Sequence, residues 1–369
     1  MIKIVLDNIV FSLQKSGGVS TLWYELIRKL LENNEFDVFF LEYEGASNNL
    51  LRSSFEIPKE KILNVSTQSN LFIERYKNVK LNIKEPFLFI SSYYRVCKNP
   101  NAKNITIVHD FTYEYYRKGL ARLVHSYQKR KAVLSSDGVI SISKNTEADL
   151  HKFIPSYKKK IKIIYNGVSE KFYLLQDKER LANYRNSFQE IIEKKVLLYI
   201  GHRTSYKNFD KVVEAYKKLK DSEYFLVIVG EKFNKKEEKF IESQIRHGTY
   251  ILYSRLGNEE LNYLYNIAFA LLYPSSYEGF GIPLVEAMRA GCPSIALNKS
   301  SIPEVVGNAC ILMQNADSEQ IVEAVNSLND LNFRNDLINR GFIQSQKFSW
   351  DITTSKYLAF FQELSNDIQ

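Results

Sequence analysis

Short β-rich apolar runs alternate with helical patterns along almost the whole chain, and this alternation restricts the fold more than any other feature. In the first half the apolar runs cover residues 2–6, 38–41, 87–90, 105–108, 139–142 and 161–164. In the second half they cover 196–200, 225–229, 250–252, 270–273 and 294–297. Helical patterns fall at 19–31, 117–135 and 144–152, then at 209–219, 236–246, 259–267 and 283–290. A strand separated from the next by a helix pairs in parallel, and its sheet is covered on both faces. The expectation is an α/β protein of two successive units, which suits 369 residues. The change-over is expected at Asn166-Gly167-Val168, a turn signal after a strand. Residues 45–86 mix Gly, Ser, Asn and isolated apolar side chains and read as loops and short helices.

Open α/β units facing one another leave a cleft at the carboxyl ends of their strands, where ligands of such sheets bind. Residues just after strands therefore carry the functional reading. The chain opens on Met1-Ile2-Lys3-Ile4-Val5-Leu6-Asp7, which reaches an acid too soon for a signal peptide and reads as a strand. No apolar run approaches a membrane span. Three cysteines without metal-ligand spacing, Cys97, Cys292 and Cys310, suggest free thiols in a reducing, cytoplasmic setting. The net charge of +8 is uneven: residues 1–165 hold 26 Lys and Arg against 16 Asp and Glu, the remainder 24 against 26. A basic first half suits an anionic neighbour, whether nucleic acid, an acidic membrane surface or a phosphorylated acceptor. A solvated lysine-rich surface explains the same charge.

Four groups of residues could carry chemistry. Gly17 and Gly18 precede a helix, where backbone N–H groups can approach a phosphate. Arg203 and Lys207 follow the strand 196–200, and two fixed cations can neutralise a diphosphate. His109 follows the strand 105–108 and can donate, accept or carry a proton. The strongest signal runs from Tyr273 to Ala287: Glu278, Gly279, Phe280 and Gly281 form a glycine-rich loop, Pro283 suits a first helical turn, and Glu286 lies on that helix. Two carboxylates at this spacing can accept hydrogen bonds from different sets of hydroxyls. Dipole complementation explains Glu286 alone, but not Gly-Phe-Gly after a glutamate. There is no Asp-x-Asp triplet or His/Cys cluster, so no metal is expected. Dinucleotide, P-loop and nucleophile-elbow motifs are absent too.

The segment Glu278 to Glu286 resembles the Glu-x7-Glu signature of glycosyltransferase family 4, retaining transferases of GT-B fold. Further matches follow in the family's order: Gly17-Gly18-Val19, Val108-His109-Asp110, Ser141 to Lys144, Tyr165 to Val168, Gly201-His202-Arg203 with Lys207-Asn208, and Phe348 to Asp351. The resemblance implies two Rossmann-like domains: residues 1–166 binding acceptor and 167–348 binding nucleotide-sugar. Residues 349–369 then form a helix that packs back on the first domain. It implies that Glu278 contacts donor-sugar hydroxyls and Glu286 the ribose, with Arg203 and Lys207 holding the diphosphate in place of a metal. Gly17 and Gly18 would present N–H groups to phosphates or sugar, and the amides of Phe280 and Gly281 would cradle the transferred ring beside Gly279. His109 would sit beside sugar and acceptor, and the leaving diphosphate would take the acceptor proton on the same face.

The run Tyr206 to Phe209 is similar to one in bacterial mannosyltransferases and favours GDP-mannose, with UDP- and dTDP-sugars open. The base would be read near Arg255 to Gly257. Arg203 and Lys207 are closer together than in some branches. The acceptor is expected on residues 113–130, where tyrosines and cations mix, and a lipid-linked glycan at the inner membrane face is the working reading. Competing readings are a non-catalytic nucleotide-sugar-binding subunit and a sugar-nucleotide epimerase. A nucleic-acid partner is not expected, since Gly-Phe-Gly has no use there.

Overall fold

The structure is a computed structural model that describes residues 1–63, 71–186, 191, 193–219, 222–254 and 256–366. The chain divides into two compact units, the first comprising Met1–Gly167 with Trp350–Gln369 and the second Val168–Ser349.

The first unit holds a seven-stranded sheet built from β1 (Ile2–Asp7), β2 (Phe36–Leu41), β3 (Ile62–Leu63), β4 (Phe87–Ser91), β5 (Ala102–Val108), β6 (Gly138–Ser141) and β7 (Lys160–Ile163). Its order is β3-β2-β1-β4-β5-β6-β7, and every pairing is parallel. Central strands such as Phe87–Ser91 are buried at every position, which is why they read as continuous apolar runs without alternation. The second unit repeats the design with β8 (Lys195–Ile200), β9 (Tyr224–Val229), β10 (Tyr250–Tyr253), β11 (Ala268–Tyr273), β12 (Ser294–Leu297) and β13 (Ile311–Met313), in the order β10-β9-β8-β11-β12-β13. Two strands escape the sequence pattern, Ile62–Leu63 and Ile311–Met313, because each is an edge strand of only two or three residues. The segment 45–86 otherwise holds short 3-10 turns and the brief helix Leu71–Glu74, with residues 64–70 outside the described set. The expected helix 117–135 is Gly119–Ser135, and a separate short helix, Thr112–Tyr116, precedes it.

The last helix, Trp350–Asn366, returns to the first unit after the chain has completed the second. Thr353 Oγ1 donates to Tyr165 O at 2.8 Å, and Lys29 and Lys160 pair with Asp351 and Glu363. Gly138 lies so close beneath it that a Cβ there would stand 2.5 Å from Leu364 Cδ1. Among the described residues no helix is long and apolar enough to cross a membrane. The three cysteines are free and buried.

Candidate active site

Parallel sheets open a crevice where the strand order reverses. In the second unit that point lies between β8 and β11, adjacent strands whose following loops, 201–208 and 274–281, are thereby brought together. Asn208 locks them. Its backbone is left-handed at φ +52°, and its Nδ2 donates to Pro274 O at 2.7 Å and Ser276 Oγ at 2.8 Å. Ser276 N returns a bond to Tyr206 O at 2.7 Å.

Lys207 thereby reaches Glu278, Nζ to Oε1 at 2.5 Å, with side chains only 11% and 13% exposed. The ammonium lies 5.4 Å from the Tyr273 ring and 5.5 Å from that of Tyr206, a cation–π setting. Glu278 is further held through its backbone. Its N–H donates to Ser300 Oγ, and Ser301 Oγ donates to the carbonyls of Glu278 and Phe280. Gly281 then adopts φ +99° as the cap of the helix Ile282–Arg289, a conformation that requires glycine, and a proline opens the helix. One turn on, Glu286 Oε2 accepts from Tyr265 Oη at 2.8 Å. Burial pushes the Glu286 carboxyl up to about 7, with the tyrosine bond pulling the other way.

Arg203, like Lys207, follows the end of β8. Its side chain is 3% exposed, and Nη2 donates to Glu231 O, Lys232 O and Glu237 Oε2 at 2.7, 3.1 and 3.1 Å. The guanidinium stacks 4.7 Å from the Phe233 ring. Nε and Nη1 have no partner among the described residues. Both cations of the pair thus carry a carboxylate, Lys207 on Glu278 and Arg203 on Glu237. Arg255 lies outside the described residues.

In the first unit the sheet order reverses between β1 and β4. A cavity of about 220 Å³ sits beyond the carboxyl ends of β1, β4 and β5, and His109 forms part of its wall with Gln14, Tyr94, Tyr113 and His125. Burial, reinforced by Lys129 and opposed by Asp110, pulls the His109 imidazole down to about 4, so it is neutral at pH 7. Lys129 is fully buried, donating to Asp110 O and Glu114 Oε2. A buried network of Asp7, Arg95, Glu74 and Tyr43 ties the strand ends beside the cavity to the helix Leu71–Glu74. Gly17 and Gly18 are exposed at the start of the helix Gly18–Leu31, which no side chain caps.

Sequence reasoning named Asn208 only beside Lys207 in a family match and missed Tyr265, Ser300 and the Asp7–Arg95 pair. Only Asn208 carried a signal, because asparagine tolerates left-handed backbone before a helix. Tyr265 and Arg95 are marked by tertiary contacts alone.

Family models match both units: "Glycosyltransferase Family 4" over residues 16–172 and "Glycosyl transferases group 1" over residues 182–343. The chain belongs to glycosyltransferase family 4. This family 4 chain is a glycosyltransferase of the GT-B type. It is 26% identical over 327 residues to an uncharacterised 41.2 kDa protein in the cps region of Klebsiella pneumoniae, covering 84% of this chain and 87% of that one. It is 34% identical over 175 residues to the O-antigen chain mannosyltransferase B of Escherichia coli, 45% of each chain. The solved Anabaena Alr3699/HepE in complex with UDP-glucose superimposes with a TM-score of 0.71 at 14% identity, covering 98% of this family 4 transferase and all of that chain.

Proposed function

We propose that the protein transfers a hexose, mannose from GDP-mannose by preference, onto a saccharide acceptor in the synthesis of a bacterial cell-surface polysaccharide, with retention of the anomeric configuration. The observation that carries the reading is the Lys207–Glu278 pair, set eight positions from the Glu286–Tyr265 pair on one loop and helix. The likeness to the mannosyltransferase and the run Tyr206 to Phe209 support the donor.

The chemistry follows from charge. When the sugar C1–O bond breaks, its electron pair passes to the diphosphate, and preorganised positive groups lower that barrier in a dry site. Lys207 exchanges Glu278 for the departing phosphate oxygens. Arg203 contributes by clamping the turn after β9 and through Nε and Nη1. Glu278, released, accepts from donor-sugar hydroxyls, and Glu286 from the ribose. Gly279 and the amides of Phe280 and Gly281 cradle the sugar, and Gly17 and Gly18 offer N–H groups from the first unit. His109, neutral, hydrogen-bonds sugar and acceptor. The acceptor oxygen attacks C1 from the face the diphosphate leaves, and its proton passes to a phosphate oxygen. No cofactor or divalent metal is needed in this scheme, so excess EDTA is expected to leave turnover unchanged.

A thermal-shift series with GDP-mannose, UDP-glucose and dTDP-glucose tests the donor, since a ligand of the folded state alone raises Tm. A shift with GDP-mannose supports the reading, a shift only with another nucleotide reassigns it, and no shift with any rejects it. Nucleotide diphosphate released only with acceptor present separates a transferase from a binding subunit or an epimerase.

The acceptor is proposed to be lipid-linked. On the helix Gly119–Ser135, Leu120, Leu123 and Tyr127 are 75%, 66% and 69% exposed, and the exposed cations Arg117, Lys118, Arg122, Arg130 and Lys131 lie within a few positions of them in sequence. Exposed apolar side chains interspersed with cations suit the surface of an anionic membrane on its cytoplasmic side. Sedimentation with anionic vesicles at low salt, and not with neutral ones, is the expected result; equal partition overturns the membrane reading.

A further inference from the structure

We infer that Tyr265 is a positioning residue for nucleotide choice: its hydroxyl holds Glu286 so that the carboxylate selects ribonucleotides over 2′-deoxyribonucleotides. This rests on the transferase reading above and on Glu286 facing the ribose. It adds the residue that makes the carboxylate selective.

The helix Asn258–Ile267 fixes the tyrosine. Tyr265 is fully buried on it, and Oη donates to Glu286 Oε2 at 2.8 Å. Asn262 and Asn266, three positions before and one after, receive the segment Phe172 to Leu175 on the same side of the helix. Asn262 Oδ1 accepts from Tyr173 N at 3.0 Å, and Asn266 Oδ1 from Leu175 N at 2.8 Å. Asn266 Nδ2 returns a bond to Tyr173 O at 3.0 Å. The segment so docked sets the Phe172 ring edge-on to that of Tyr265, with centres 5.8 Å apart and planes 77° apart. A ring enclosed by packed neighbours keeps one rotamer, so its hydroxyl keeps one direction.

Phenylalanine would fill the same ring volume. What tyrosine adds is one donor aimed at a carboxylate. Glu286 is half-buried, and its Oε1 accepts no hydrogen bond among the described residues. A carboxylate has about four acceptor positions, so Oε1 and the second lone pair of Oε2 stay available on a group that cannot turn. Adjacent 2′ and 3′ hydroxyls offer two donors to match. Burial holds the Tyr265 proton in place, well above the ordinary tyrosine range, so the hydroxyl remains a donor. Its bond also opposes the desolvation that favours a protonated Glu286, and so supports the form that accepts. A sugar lacking the 2′ hydroxyl leaves this desolvated acceptor short of a partner, which is the effective source of discrimination. The inference therefore sets dTDP-sugars aside from the possible donors.

Isothermal titration of the full chain at pH 8 with GDP, 2′-deoxy-GDP, UDP and dTDP tests this. For the base it accepts, the unaltered protein should bind the ribonucleotide about tenfold or more tightly than the deoxy form, the scale of a hydrogen bond to a charged group. Tyr265→Phe should lose about fivefold in affinity for the ribonucleotide and less than about twofold for the deoxy form, with a near-native Tm. Added to Glu286→Ala, it should cost nothing further, because the hydroxyl acts through the carboxylate. A role in packing alone would weaken both nucleotides alike. Equal affinity for the two forms in the unaltered protein, tighter binding of dTDP than of GDP and UDP, equal losses in Tyr265→Phe, or a full added loss in the double variant overturns the inference. In each of those cases a nucleotide still binds and the transferase reading stands. If none of the four binds the unaltered protein, it is the donor reading that falls.

Discussion

Lys207 Nζ lies 2.5 Å from Glu278 Oε1, joining the end of β8 to the loop after β11 across 71 positions of sequence. Each group is the other's charge partner, and both are largely removed from water. Breaking such a pair leaves one charge uncompensated, whereas removing both is far less costly. Lys207→Met should lower turnover about 100-fold, the scale of losing one preorganised group. It should also lower Tm. The double variant Lys207→Met with Glu278→Gln should recover most of the Tm and none of the turnover. A double-mutant cycle read by calorimetry and product assay checks both halves.

Asn208 acts through its neighbours rather than on substrate. Glycine tolerates the φ of +52° but lacks the amide that holds Pro274 and Ser276. Asn208→Gly should therefore keep a near-native Tm while kcat falls about tenfold or more, as expected when reacting groups lose their placement. Asn208→Ala adds backbone strain on the order of 1 kcal/mol or more and should lower both. Equal kcat in Asn208→Gly and the unaltered protein would show that the loops keep their register without this clamp.

Glu286 makes stability depend on pH. Its folded pKa, about 7, stands above the ordinary carboxyl value of 4.5, so the folded state holds this proton between the two. That contribution is fully present at low pH and is lost as pH rises through about 7. Glu286→Gln imitates the protonated form. The variant should match the unaltered protein near pH 4.5 and exceed it in Tm at pH 8, by an amount equivalent to at most about 3 kcal/mol. Donor affinity should fall in the same variant. Melting curves at pH 4.5 to 8 read the sign directly.

Gly230 follows β9, where a Cβ would stand 2.6 Å from Gly201 O and 3.1 Å from Arg203 Nη1. Backbone cannot yield as a flexible side chain does. Gly230→Ala should cost about 1 to 3 kcal/mol, the range of an overpacked site. It should also displace Arg203 from Glu231 and Glu237, lowering turnover. Denaturant titration together with turnover at saturating donor measures both.

Much of the fold was legible because strands buried on both faces must be apolar throughout, so β1, β4, β8 and β11 stand out as runs. The site was legible where chemistry demands a fixed local spacing: Glu278, Gly281, Pro283 and Glu286 lie within nine residues on one loop and helix. Residue order alone also placed Lys207, Arg203 and His109 after strands. Which partner each of them meets was decided only by tertiary structure. The order of strands sets β8 beside β11, and therefore Lys207 against Glu278, while Arg203 turns to Glu237 in the first turn of the helix Lys235–Gln244. The stacked Tyr113 and His125, and the raised carboxyl of Glu286, likewise arise from burial among residues remote in sequence. Hydrophobic periodicity is a local property that a chain carries with it, whereas desolvation and charge pairing exist only once distant segments share the same space.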